Sequence, residues 1–133
     1  MKRFTGWFAA TLLVLSAGHA QAGASDDACK ALMDARGNLV AMLDTSDKAM
    51  LDDHKAKVQA ASAKLEDIVA GMAKGPDAGK ANAFTALWGD FKKTRDEEII
   101  PQIYAGKKAE AKALASGIQA ERMKKLKGAM GCQ

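Results

Sequence analysis

Only two prolines, Pro76 and Pro101, interrupt a chain of 133 residues in which apolar side chains return every third or fourth position. A proline-poor chain with that period folds as helices, because half-buried strands alternate with a period of two and draw on β-branched and aromatic residues. Aromatic residues make up only 5% of this chain, so a sheet has little from which to build its faces. The length fits one compact domain and is too short for a multidomain enzyme.

The first 22 residues read as an export signal. Lys2 and Arg3 precede an apolar run from Phe4 to Gly18, and Ala20-Gln21-Ala22 forms a small-x-small cleavage site. The run falls short of the roughly 20 apolar residues that span a bilayer, which disfavours a retained anchor. Cys29 follows Asp26-Asp27-Ala28 rather than an apolar run, which disfavours a lipoprotein. The expected product is residues 23–133, exported to an oxidising compartment such as a bacterial periplasm, with no membrane span after cleavage. Removing Lys2 and Arg3 leaves 18 Lys and Arg against 16 Asp and Glu, a formal charge of +2, and no window is more basic than Lys124, Lys125 and Lys127. A nucleic-acid partner is not expected from so small a surplus.

The remainder divides into four helices, and the expected fold is all-α, an antiparallel up-down-up-down four-helix bundle. Ser25 followed by Asp26 and Asp27 predicts the first start, a capping hydroxyl with carboxylates at the positive end of the helix dipole. Ala28, Leu32, Ala35, Leu39 and Met42 then trace one apolar face to about Asp44. Thr45-Ser46-Asp47 offers a cap for the second helix, which carries the heptad Leu51, His54, Val58, Ala61, Leu65, Ile68 and Met72. Gly71 to Gly75 and Pro76 close it, and Asp77 caps a third helix with the inner face Ala81, Phe84, Trp88, Phe91, Arg95, Glu98 and Gln102. Pro101 lacks the amide that a continuous helix needs, which predicts a kink or a stop before Gly106. The last helix is expected from about Lys107 to Met130, with Ala111, Leu114, Ile118, Arg122, Leu126 and Met130 facing inward.

In such a bundle both ends of the mature chain lie together. Cys29, one turn into the first helix, would meet Cys132, just past the fourth. An intramolecular disulfide is the leading reading, and an intermolecular bridge or two free thiols are the alternatives.

Catalytic chemistry finds little material. The mature chain has one histidine, no Ser/His/Asp or Cys/His constellation and no phosphate-cradling glycine loop, so an enzyme is not expected. Covalent haem would need a C-x-x-C-H motif, whereas this chain ends Met130-Gly131-Cys132-Gln133, and no cofactor is assigned. Met50 and His54, one turn apart, would make at most half of a copper site, and the methionines are better explained as core filler. The cations on the inner faces say more. At 1.5 Å of rise per residue, Arg36, Trp88 and Arg122 fall at one height and His54 and Arg95 at a second, giving two polar layers. Each arginine alone would snorkel to the rim, but together they would bind a small carboxylate against Trp88.

Leu87-Trp88, Phe91, Arg95, Ile99-Ile100-Pro101, Ala105-Gly106-Lys107, Ala111, Leu114, Gly117 and Arg122 form a further pattern. It resembles the periplasmic four-helix-bundle sensor domains of methyl-accepting chemotaxis receptors. There a tryptophan and a second aromatic on the third helix lead through an arginine to an "AGD…A…L" turn and the fourth helix. The similarity covers about residues 28 to 130, and residues 84 to 126 carry its distinctive part. It implies a domain that senses small molecules, often organic acids, or a binding-protein partner, with Arg36, Trp88, Arg95 and Arg122 as the positions that carry over. The receptors place this domain between two membrane helices, whereas the chain here is expected to be a stand-alone exported protein. The reading from sequence is therefore a non-catalytic, sensor-like bundle that binds a small anionic molecule or a periplasmic or receptor protein, with weak homodimerisation suggested by the regular heptad. A cytochrome-like bundle binding haem or copper is the alternative.

Overall fold

A computed structural model describes residues 20–133, with side chains from Gly23 onward, and the expected export signal lies outside the described side chains. The chain is an all-α bundle. Its elements are α1 (Ala20–Asp44), α2 (Lys48–Met72), α3 (Ala78–Thr94), a π-helical turn (Arg95–Ile99), α4 (Ile100–Tyr104), α5 (Lys108–Ser116) and α6 (Ile118–Met130). Among the described residues no helix is long and apolar enough to cross a membrane.

The first helix follows the apolar pattern closely; on α2, Leu51, Val58, Leu65 and Met72 are buried as expected, whereas Ser62 and Val69 take the buried places expected of Ala61 and Ile68. Ala28, Leu32, Ala35, Leu39 and Met42 are all buried, and α2 starts where Asp47 caps it, its carboxylate accepting from the Met50 amide at 3.0 Å. The start of α1 differs from expectation. The alanine-rich segment ahead of Ser25 is already helical, so Ser25 is no cap, and its hydroxyl donates instead to the Met130 carbonyl at 2.7 Å.

The third rod departs from its predicted face at the π-helical turn. The Ile100 amide bonds to the Arg95 carbonyl five residues back, so one extra residue enters the turn and rotates everything that follows. Phe84, Trp88, Phe91 and Arg95 are buried before it; Ile99, Ile100 and Ile103 are buried after it, and Glu98 turns to solvent. Pro101 stands in the first turn of α4, directly after the π-helical turn, so the irregularity falls just upstream of the proline and the helix runs past it to Tyr104. The rod ends at Gly106, whose φ of +76° lets the Lys107 amide fold back to the Gln102 carbonyl.

The expected fourth helix is broken in two. At Gly117 (φ −94°, ψ −108°) the backbone steps out of the helix, and a Cβ there would stand 2.8 Å from the Ala113 carbonyl oxygen. Ala111, Leu126 and Met130 are buried as expected, and the inner face differs just past the break. Gln119 and Met123 are buried where Ile118 and Arg122 were expected, and Ile118 faces outward.

The core has two apolar halves. One holds Leu32, Leu65, Leu126, Met130 and the stacked series Phe84, Trp88 and Phe91, with successive ring centroids 5.6 Å apart; the other gathers Leu39, Met42, Val58, Ile99 and Ile103. Ser62, Thr94, Arg95 and Gln119 form a buried polar layer at the register where the halves meet. Helix α1 packs chiefly on α2 and α3 on α6, whereas α1 meets α6 sparsely. Cys29 and Cys132 are disulfide-bonded across that thin seam, with their Cα atoms 5.7 Å apart. Closing a loop of this length stabilises a fold by roughly 4–5 kcal/mol in the chain-entropy model.

The break at Gly117 makes a paired test. Gly117→Ala forces a Cβ against backbone, whereas Gly128→Ala, in the interior of α6, has nothing within 4 Å. In urea unfolding the first should lose more than about 1 kcal/mol and the second should gain roughly 0.4–1 kcal/mol. Equal responses would mean that the last rod is continuous.

Candidate functional site

Of the four expected site residues, the bundle brings Trp88 and Arg95 together. The Arg95 guanidinium lies over the Trp88 ring at 5.6 Å from its centroid, in a residue only 1% exposed. Its donors are engaged within the protein: Ser62 Oγ accepts at 2.7 Å, and the Asp96 carboxylate accepts at 2.8 and 3.3 Å. A buried guanidinium is tolerated on those terms, since each hydrogen bond replaces lost hydration. Trp88 Nε1 donates at 2.8 Å to Glu66, which also accepts from Lys92 at 2.6 Å. Burial pushes the Glu66 carboxyl up, but the hydrogen bonds from Lys92 and Trp88 outweigh it and hold the group below its ordinary value.

Arg122 belongs to a different seam. It is half-buried between α3 and α6 and donates to Thr94 Oγ1 at 2.7 Å and to Gln119 Oε1 at 3.0 Å. Gln119 Nε2 in turn donates to the Phe91 carbonyl at 2.9 Å. The expected layer of Arg36, Trp88 and Arg122 is therefore not assembled. Rise along a helix fixes height but not direction, and of the three residues Arg122 alone follows a backbone irregularity, the break at Gly117.

Arg36 stands apart from all of these. It is exposed and lines a groove of about 410 Å³ where α1, α3, α5 and α6 converge. Leu39, Leu43, Phe91 and Met123 give the groove an apolar floor, and Lys112 of α5 is its second cation. Among the described residues neither Arg36 nor Lys112 is held by a carboxylate. Two unneutralised cations beside a low-dielectric floor attract an anion strongly. The periodicity of the last helix placed Lys112 on an outer face. Its place on the same groove as Arg36 comes from the way α5 and α6 meet α1, which no spacing within one helix encodes.

The remaining candidates lie elsewhere. His54 Nδ1 is 3.0 Å from Asn38 Oδ1, and the exposed Met50 sulfur accepts from Thr45 Oγ1 at 3.7 Å. Among the described residues no cluster of three or more His, Cys, Asp or Glu is arranged to hold a metal ion. A second groove near the chain ends, about 560 Å³, has Asp27, Asp67 and Asp77 around Ile68 and Met72 and so carries the opposite charge.

The Glu66 network makes a pH-dependent prediction. Because the folded pKa lies below the ordinary 4.5, the stabilisation is complete above that value and is lost as the pH falls below it through the folded pKa. Unfolding followed by Trp88 fluorescence should show wild type more stable than Glu66→Gln at neutral pH, with the gap closing as the pH falls below 4.5. A gap independent of pH would contradict the assigned hydrogen bonds.

No protein-family model, curated protein or solved structure matches this chain.

Proposed function

We propose that this chain is an exported, non-catalytic bundle that binds a small organic anion in the groove between α1 and the α5–α6 rod. One observation carries this reading: Arg36 and Lys112 line an apolar-floored groove with no carboxylate holding either. Export is supported by the N-terminal pattern of Lys2, Arg3, the apolar run and Ala20-Gln21-Ala22, and by a disulfide, which persists in oxidising compartments. The resemblance to chemotaxis-receptor sensor domains, carried by residues 84 to 126, favours ligand sensing or presentation of the bound ligand to a receptor. Arg36 is the one of the four expected cationic and aromatic positions that lines this groove. Trp88, Arg95 and Arg122 hold helices together, which keeps the groove's walls in place.

A thermal-shift screen of organic acids followed by calorimetry tests the assignment. Losing one charge-assisted contact worth roughly 1.5–3 kcal/mol weakens binding about tenfold to more than a hundredfold. Arg36→Ala and Lys112→Ala should each show that loss for whichever acid scores. Arg122→Ala should keep the affinity and lower the melting temperature, since Thr94 and Gln119 lose their partner. Wild-type affinity in both groove variants would place the site elsewhere and overturn the proposal.

A further inference from the structure

We infer that the ligand of this groove is a straight-chain monocarboxylate of medium length, its carboxylate held by Arg36 and Lys112 and its alkyl chain laid along Leu39, Leu43, Phe91 and Met123. The inference rests on the anion-binding reading and narrows it to one chemical class.

The supply of free polar groups limits what the groove accepts. Besides the two cations, Ser116 and Gln119 are the polar side chains that line it. Gln119 is already committed at both ends of its amide, donating to the Phe91 carbonyl and accepting from Arg122. Ser116 donates its hydroxyl hydrogen back to the Lys112 carbonyl at 2.6 Å. With both cations given to one carboxylate, no further polar partner is left in the groove. A second carboxylate on a compact di- or tricarboxylate would lie against the apolar floor without a partner, and an unpaired charge in such a place is costly.

The dimensions point the same way. At about 30 Å³ per methylene-sized group, the share of a water molecule in the liquid, 410 Å³ holds about a dozen non-hydrogen atoms, which matches a carboxylate of roughly ten carbons. Val40, 46% exposed at the groove's lip, gives an alkyl chain an apolar wall that is otherwise left in water. The other groove, ringed by Asp27, Asp67 and Asp77, repels the same head group.

Calorimetric titration of the oxidised protein with butanoate, hexanoate, octanoate, decanoate and tetradecanoate, each as monomer in solution, reads the inference directly. Each methylene buried on the floor should tighten binding about fourfold, with the gain levelling off beyond decanoate as the chain outgrows the groove. Octanedioate should bind at least tenfold more weakly than octanoate, and Arg36→Ala should weaken the whole series by a similar factor. A flat series that still depends on Arg36 would overturn the alkyl-chain assignment and leave the anion-binding proposal standing. A rising series unaffected by Arg36→Ala and Lys112→Ala would place the chains on another surface and overturn the inference. No measurable binding of any of these carboxylates, together with a blank organic-acid screen, would overturn both.

Discussion

The seam between α1 and α6 is a thin one, and the Cys29–Cys132 bond is what holds it closed at the end where the chain termini meet. The Ser25 hydroxyl on the Met130 carbonyl reinforces the same end. A stabilisation of roughly 4–5 kcal/mol is a large share of the 5–15 kcal/mol typical of a whole domain. Farther along, around Gly117, the seam opens into the groove that contains Arg36 and Lys112, and beyond it Lys108 of α5 donates to the Thr45 carbonyl and the Ser46 hydroxyl at the end of α1. Stability and the candidate site are thus two consequences of one arrangement: a covalent clamp at one end of a loosely packed pair of helices.

A buried polar layer fixes how the other helices meet. Arg95 reaches Ser62 across α2, Gln119 reaches the Phe91 carbonyl, and Arg122 reaches Thr94 across the seam of α3 and α6. A slip of one turn along any of these contacts would strand a charge or an amide in an apolar half of the core, so the layer sets register as well as contributing hydrogen bonds. The same layer absorbs Arg95 and Arg122 and holds Trp88 through Glu66. A ligand is left with cations outside the layer, on the face where α5 rejoins α1.

Much of the fold is legible in the sequence because local rules govern it. The break at Thr45-Ser46-Asp47, the cap on Asp47, the inner faces of α1 and the first part of α3, and the meeting of Cys29 with Cys132 all follow from caps, apolar spacing and helix count. Two backbone irregularities escape those rules. The π-helical turn at Arg95–Ile99 carries no glycine or proline inside it, and it rotates Glu98 outward and Ile99 inward. Gly117 looks like one more glycine in a helical pattern until its close approach to the Ala113 carbonyl is seen. The first puts Ile99 inside in place of Glu98, and past the second Gln119 and Met123 are buried in place of Ile118 and Arg122. A layer deduced from axial rise grouped Arg36, Trp88 and Arg122 because rise fixes height and not direction. Lys112 had no local signal, since its place on the groove with Arg36 depends on the packing of helices far apart in sequence.

The most direct measurement is a methyl-resolved nuclear magnetic resonance titration of the oxidised protein with octanoate, using Leu, Val and Met probes. The account predicts that Leu39, Val40, Leu43 and Met123 shift together and saturate as one site, while Leu65 and Met72, away from the groove, stay unchanged. Shifts centred on Met72 in the acidic groove, or no shifts at the four groove residues at saturating octanoate, would contradict it.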